Sequence, residues 1–177
     1  MNVDAELDRF LAGVERRAFR MAQLALRDTD DALDVVQDAM FALVKRYAQR
    51  PPGEWPPLFW RILSRRITDV HRRRTRGRRL FGLLPAAAED ADPMEQVPAA
   101  ADAAPDLQLE ALGASERIVE AVALLPLRQQ QAFLLRSWEG LSVAETAQAM
   151  GCAQGSVKTH LSRALTQLRA QLGDLDE

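Results

Sequence analysis

One cysteine, one tyrosine and two histidines stand in a chain of 177 residues. The lone Cys152 excludes an internal disulfide and fits a reducing compartment, where it reads as a small packing residue. His71 and His160 lie in basic stretches, with no cysteine or carboxylate cluster at ligand spacing, so the sequence offers no metal site. A glycine-rich phosphate loop is missing, and so is any defensible Ser/His/Asp set. No catalytic residue and no cofactor is therefore expected. No apolar run approaches the roughly 20 residues that cross a bilayer. The start, Met1-Asn-Val-Asp-Ala-Glu6, lacks the basic opening of a signal peptide, and a cytoplasmic protein is expected. Strand-like alternation and internal repeats are also absent.

What the chain has is hydrophobic content, 47%, and charge that is segregated along its length. The net charge of −2 hides this segregation. Between Arg61 and Arg79 there are nine arginines and one acid, Asp69. Between Leu80 and Glu116 there are eight acids and no lysine or arginine. Local patches, rather than the total, set the partners of such a chain.

Residues 4–27 carry apolar side chains at helical spacing, from Leu7 and Phe10 to Met21 and Ala25. Asp28-Thr-Asp-Asp31 breaks that pattern and supplies N-caps. A second amphipathic helix is expected from Ala32 to Tyr47, with Leu33, Val36, Met40, Leu43 and Val44 inward. Pro51-Pro-Gly53 and Pro56-Pro57 read as breakers around Trp55, and a third helix is expected from Leu58 to about Arg74. Residues 80–113, rich in alanine, proline and acid, read as a flexible linker that cannot bury enough apolar area to offset its ordering entropy. Phe81, Leu83 and Leu84 at its start are candidates for docking elsewhere. Four short helices follow between Ser115 and Leu172. The expected fold is all-α: a three-helix domain over residues 1–79, the linker over 80–113, and a second helical domain over 114–177.

The second domain contains the most specific pattern. Ser142 with Glu145 three residues on is a capping-box signal, and Gly140 can end the preceding helix. Ala147 is small where two helices cross, and Gly151 sits where a tight turn needs positive φ. Val157, Leu161, Ala164, Leu165 and Leu168 then give the next helix one apolar face. Its other face carries Ser156, Lys158, Thr159, Ser162 and Arg163, donors and acceptors suited to phosphates and base edges. This is a helix–turn–helix pattern.

Two further segments are candidate surfaces. Phe59-Trp-Arg-Ile-Leu-Ser-Arg-Arg-Ile-Thr-Asp-Val-His-Arg-Arg-Arg-Thr-Arg-Gly-Arg-Arg79 mixes arginines with aromatics, the chemistry of phosphate pairing and base stacking. Asp31, Asp34 and Asp38 share one helical side and read either as a wet face or as a docking face for a basic partner.

In this order the segments resemble a bacterial RNA polymerase sigma factor of the extracytoplasmic-function (ECF) type. Asp31-Ala-Leu-Asp-Val-Val-Gln-Asp-Ala-Met-Phe41 resembles the core-polymerase docking motif of that family, D-A-E-D-L-V-Q-E-x-F. Leu58-Phe-Trp-Arg-Ile-Leu-Ser-Arg-Arg-Ile-Thr-Asp-Val-His-Arg-Arg-Arg74 resembles the helix that reads and opens the minus-ten promoter element. Leu125-Pro-Leu-Arg-Gln-Gln-Gln-Ala-Phe-Leu-Leu135 with the helix–turn–helix resembles the domain that reads the minus-thirty-five element.

The resemblance implies a protein without catalysis of its own, whose partners are core RNA polymerase, promoter DNA and an anti-sigma factor, and which is a monomer when free. It places Asp31, Asp34, Gln37 and Asp38 against polymerase. Trp60, Arg61, Arg65, Asp69, Arg72 and Arg73 would lie along the minus-ten DNA. Ser156, Lys158, Thr159, Ser162 and Arg163 would meet the minus-thirty-five element, with the helix in the major groove.

Three positions depart from the family pattern. Arg65 stands where asparagine is common, which implies more phosphate contact. Leu33 stands where glutamate is common, which weakens or re-aims the polymerase contact. Gln130 stands where arginine is usual, which removes one DNA-backbone or polymerase contact.

A rival remains in dimeric activators similar to LuxR-like regulators, where helices such as Gly155-Ser-Val-Lys-Thr-His-Leu161 also occur. The arginine-rich helix and the acidic linker argue against it.

Overall fold

The computed structural model describes residues 3–82 and 116–173. These residues form helices joined by short turns, with no strand among them. The N-terminal half holds α1 (Val3–Leu26), α2 (Thr29–Tyr47) and α3 (Trp55–Leu80). The C-terminal half holds α4 (Glu116–Ala123), α5 (Leu127–Phe133), α6 (Val143–Met150) and α7 (Gln154–Leu172). Most of the expected linker, including Leu83, Leu84 and its acidic run, lies outside the described residues.

Local chemistry fixes the helix ends. Asp28 adopts an extended backbone, and its carboxylate accepts from the Asp31 N–H at 2.9 Å, so α2 starts three residues earlier than its apolar pattern predicts. Asp30 and Asp31 lie at the positive end of that helix and Lys45 and Arg46 at its negative end. Pro56 and Pro57 do not break α3. They occupy its first turn, where no N–H is needed, so the helix begins at Trp55. The indole N–H of Trp55 donates to the Tyr47 carbonyl at 3.0 Å, which satisfies the end of α2. Beyond Arg74, α3 continues to Leu80.

Apolar packing joins the helices of the first half. Phe10 lies tilted at 6.0 Å from Trp55 and edge-on at 6.1 Å from Phe59, and Phe59 meets Trp60 edge-on at 5.2 Å. Arg74 ties three helices at one corner. Its guanidinium donates to the last α1 carbonyl, Leu26, at 2.6 Å, and also pairs with Asp31. Asp28 lies 3.8 Å from the same nitrogen.

The two halves pack against each other, α6 on α3 and α4 on α1, with α5 tied to α3 through Gln131, and their buried side chains form one continuous apolar cluster. Polar ties cross this interface. Arg27, in the left-handed region at φ 49°, donates to the Ala123 carbonyl at the end of α4. Arg17 pairs with Glu139 at 2.8 Å. Gln130 and Gln131 reach across from α5, to the Leu24 carbonyl of α1 and the Thr68 hydroxyl of α3.

Candidate nucleic-acid interface

The helix–turn–helix is built as its sequence pattern predicts. The Ser142 N–H donates to Glu145 at 2.8 Å, and the Glu145 N–H donates to the Ser142 hydroxyl at 3.1 Å. The Ser142 N–H, with a smaller contribution from the Ser142 side chain, favours the carboxylate and holds the Glu145 pKa below its usual range. Gly151 closes α6 in the left-handed region at φ 64°. Val157, His160, Ala164 and Leu168 are the buried side of α7. Lys158, Thr159, Ser162 and Arg163 are exposed on its other side, with Ser156 half-buried. The Thr159 hydroxyl donates back to the Gly155 carbonyl at 3.1 Å.

The residues placed on minus-ten DNA divide into two groups. Arg65, Asp69, Arg72 and Arg73 are exposed along α3 and continue into the exposed Arg76 and Arg79, a cationic stripe suited to phosphates. Arg61 is half-buried, and its guanidinium donates to the Tyr47 hydroxyl at 3.4 Å. Trp60 is only 2% exposed and offers no open face for stacking in this arrangement. The neighbouring side of α3, with Ser64, Thr68 and His71, is also buried. Burial, reinforced by Arg74 and Arg78, holds the His71 pKa below its usual value and keeps the ring neutral.

On α2, Asp34, Gln37 and Asp38 are exposed and Asp31 is half-buried. Two of the acids are engaged with α3: Asp31 with Arg74, and Asp38 with Arg66 at 3.4 Å. Leu33 and Val44 do not face inward as their spacing predicts. The inward side of α2 is Ala32, Val35, Val36, Ala39 and Leu43. Leu33, Phe41 and Val44 instead face out, Phe41 at 66% exposure. With Leu11 and Phe19 of α1, and with Gln37 and Met40, they line an open groove of about 740 Å³. This apolar groove beside Asp34 and Asp38 was missed by sequence reasoning. Its signal was a second apolar stripe on α2, Leu33, Met40, Phe41 and Val44, offset from the core stripe.

Among the described residues, no three His, Cys, Asp or Glu side chains form a metal-binding group, and no helix is long and apolar enough to cross a membrane.

Comparison with known proteins places this arrangement. Residues 115–168 match the family described as Sigma-70, region 4. Over 171 residues the chain is 30% identical to the RNA polymerase sigma-E factor of Streptomyces avermitilis, which covers 97% of this chain and 87% of that protein. It is 31% identical over 167 residues to the ECF RNA polymerase sigma factor SigM of Mycobacterium tuberculosis, covering 91% of this chain and 74% of SigM. The fold is shared with the sigma factor RpoE of Bartonella quintana, solved in complex with the anti-sigma factor NepR. The TM-score is 0.67 at 23% identity, over 96% of this chain and 98% of that one. It is shared as well with CnrH, solved with the cytosolic domain of CnrY, at a TM-score of 0.58 and 18% identity, over 97% of this chain and 89% of that one.

Proposed function

The chain belongs to the extracytoplasmic-function family of RNA polymerase sigma factors, and from that premise we propose how its surfaces divide the work. It binds core RNA polymerase and directs promoter recognition and strand opening. This is not an enzyme family, and the protein supplies binding and positioning. It acts where polymerase and DNA meet, in the cytoplasm.

Core polymerase takes the α2 surface. The apolar groove with Phe41 and Leu33 gives buried area, and Asp34, Gln37 and Asp38 give polar orientation beside it. Apolar anchors carry affinity at such surfaces, while rim charges set on-rate and register. The stripe Arg65, Asp69, Arg72 and Arg73 lies along the minus-ten DNA. Lys158, Thr159, Ser162 and Arg163, with Ser156, enter the major groove at the minus-thirty-five element. Two readers on one chain gain avidity, because the second contact is effectively intramolecular. Capturing an unstacked base costs roughly a few kcal/mol, offset by stacking and phosphate contacts. An anti-sigma factor is a further partner of this reading.

The observation that carries it is the exposed polar face of α7, presented by a capped helix–turn–helix inside the segment that matches region 4. The test is co-purification with core polymerase, followed by transcription from a library of genomic fragments. Stoichiometric binding, with transcripts that share two spaced upstream motifs, is the expected result. Failure to bind core, with duplex DNA still bound by the protein alone as a dimer, would overturn it in favour of a dimeric activator.

A further inference from the structure

Leu80 and Phe81 take no part in the docking or reading surfaces. Leu80 is the last residue of α3, and Phe81 caps it. They are 85% and 83% exposed, more than any other large apolar side chain among the described residues. Side chains this open touch almost nothing of their own protein, so the packing of the fold does not account for them. A single apolar residue on a surface is ordinary, but two in succession at the tip of a strongly charged helix are not.

The charge beside this tip has one sign. Arg73, Arg76 and Arg79 are exposed on the last turns of α3. Arg73, Arg76 and Leu80 follow one another at spacings of three and four, so the apolar tip lies on the same side of the helix as the arginines. In sequence no acid falls between Asp69 and Glu89, and Leu80 to Ala88 carry no charge of either sign. We propose that this end of α3 is a peripheral membrane-binding tip. Leu80 and Phe81 enter the interface of an anionic lipid bilayer, while Arg73, Arg76 and Arg79 pair with its phosphate headgroups.

Charge and shape both favour lipid. A duplex offers phosphates to the arginines, but to Leu80 and Phe81 it offers a charged and hydrated backbone. An anionic bilayer supplies both partners, phosphates at its surface and hydrocarbon just beneath. A protein pocket would need walls matched to a protruding tip, whereas a fluid interface closes around it. No described helix is long and apolar enough to cross a membrane, so the contact lies on the surface. A basic cluster with one short apolar anchor makes such a contact reversible. The same arginines belong to the stripe assigned above to minus-ten DNA, and for this consequence alone the inference rests on that reading: lipid and promoter exclude each other. A protein held at the membrane is withheld from DNA until it lets go.

The test is sedimentation of the full chain with vesicles of one part phosphatidylglycerol to two parts phosphatidylcholine, and with vesicles of phosphatidylcholine alone. Binding to the anionic vesicles is expected, weakening with salt, with little binding to the neutral ones. Leu80→Ser with Phe81→Ser keeps every arginine. It should bind the anionic vesicles at least about tenfold more weakly, with unchanged affinity for duplex DNA. Arg73→Ala with Arg76→Ala should weaken both, and added duplex should release the wild type from vesicles. Circular dichroism confirms folding, and if the double serine variant fails to fold, Phe81→Ser carries the test. Absence of binding to anionic vesicles at low salt overturns the proposal. Equal vesicle binding by the folded serine variant also overturns it, because charge alone then holds the protein. A matching loss of duplex affinity in that variant overturns it in favour of an apolar wedge between base pairs. Vesicle binding needs neither polymerase nor promoter, so its failure is distinct from failure of the promoter reading.

Discussion

The Arg17 guanidinium lies 2.8 Å from the Glu139 carboxylate, and the two ends of this ion pair live in different media. The Glu139 side chain is 5% exposed and the Arg17 side chain 40%. Burial pushes the Glu139 pKa above its ordinary value, and Arg17 offsets only part of that shift. A raised carboxyl pKa means that the folded protein takes up a proton more readily than the unfolded chain. The charged form therefore costs stability at neutral pH, and the cost is relieved as pH falls through the raised value toward the unfolded value near 4.5. Glu139→Gln keeps an acceptor for Arg17 and removes the buried charge, while Arg17 stays solvated. Thermal melts should show it at least as stable as wild type at pH 7, with its advantage shrinking toward pH 5. Arg17→Ala strands the carboxylate and should lower the melting temperature at pH 7. A Glu139→Gln protein less stable than wild type at pH 7 would show the pair to be net favourable instead.

Arg74 lies in the arginine-rich helix, yet its contacts are internal. It caps α1 at Leu26 and pairs with Asp31 beside the α2 N-terminus. Arg74→Ala should cost about 2 kcal/mol, a charged hydrogen bond to a carbonyl plus a partly screened ion pair. For a chain of this size that is a fall of roughly 4–8 °C in melting temperature. Exposed Arg73→Ala and Arg76→Ala should leave the melt nearly unchanged and weaken binding to downstream promoter DNA in a salt-dependent way. Equal destabilisation by all three would remove the distinction between structural and DNA-facing arginines.

Ser142→Ala removes half of a reciprocal cap and should cost about 1 kcal/mol. The Glu145 pKa is held low first by the Ser142 N–H, which alanine keeps, and second by the Ser142 side chain, which it loses, so it should rise only part of the way toward the ordinary carboxylate value in this variant. In wild type the low folded pKa gives stability that is present above the unfolded value and lost as pH falls through the folded one. That acid-side loss should diminish in Ser142→Ala. Titration followed by NMR of the Glu145 side chain, beside a thermal melt, reads both effects. A normal Glu145 pKa in wild type would remove the premise.

Features set by neighbours in sequence were legible before the fold was known. The Ser142–Glu145 cap, the left-handed Gly151 and the two faces of α7 each depend on a spacing of three or four residues. Pro56-Pro57 misled, because proline is equally at home in a first helical turn and in a break. The outward Leu33 and Val44 misled because α2 carries two apolar stripes, and spacing alone does not say which one meets the core. The glutamine run 129–131 gave no sign of burial. Its partners lie 67 residues away for Ser64 and 106 for Leu24, and no local pattern records such a contact. Trp60 is the same case: an aromatic among arginines reads as a stacking platform until packing covers it.

In the proposed division of work, docking and reading occupy separate helices, so they should fail separately. Phe41 stands at 66% exposure in the α2 groove, with Asp34 exposed on the same helix. Neither contributes to the core, so Phe41→Glu and Asp34→Lys should leave folding intact and weaken binding to core polymerase, by tenfold or more for the apolar anchor. Both should leave the protein's own affinity for an upstream duplex unchanged. Arg163 lies on the exposed face of α7, and Arg163→Ala should do the reverse. It should lower discrimination between upstream sequences by about 1–3 kcal/mol if it reads a base edge, or weaken all duplexes alike with a shallower salt slope if it holds a phosphate. Polymerase pull-down and duplex titration on the same three variants decide this. Loss of both activities in any one folded variant would mean that the two surfaces are coupled, and the division of work between α2 and α7 would fall.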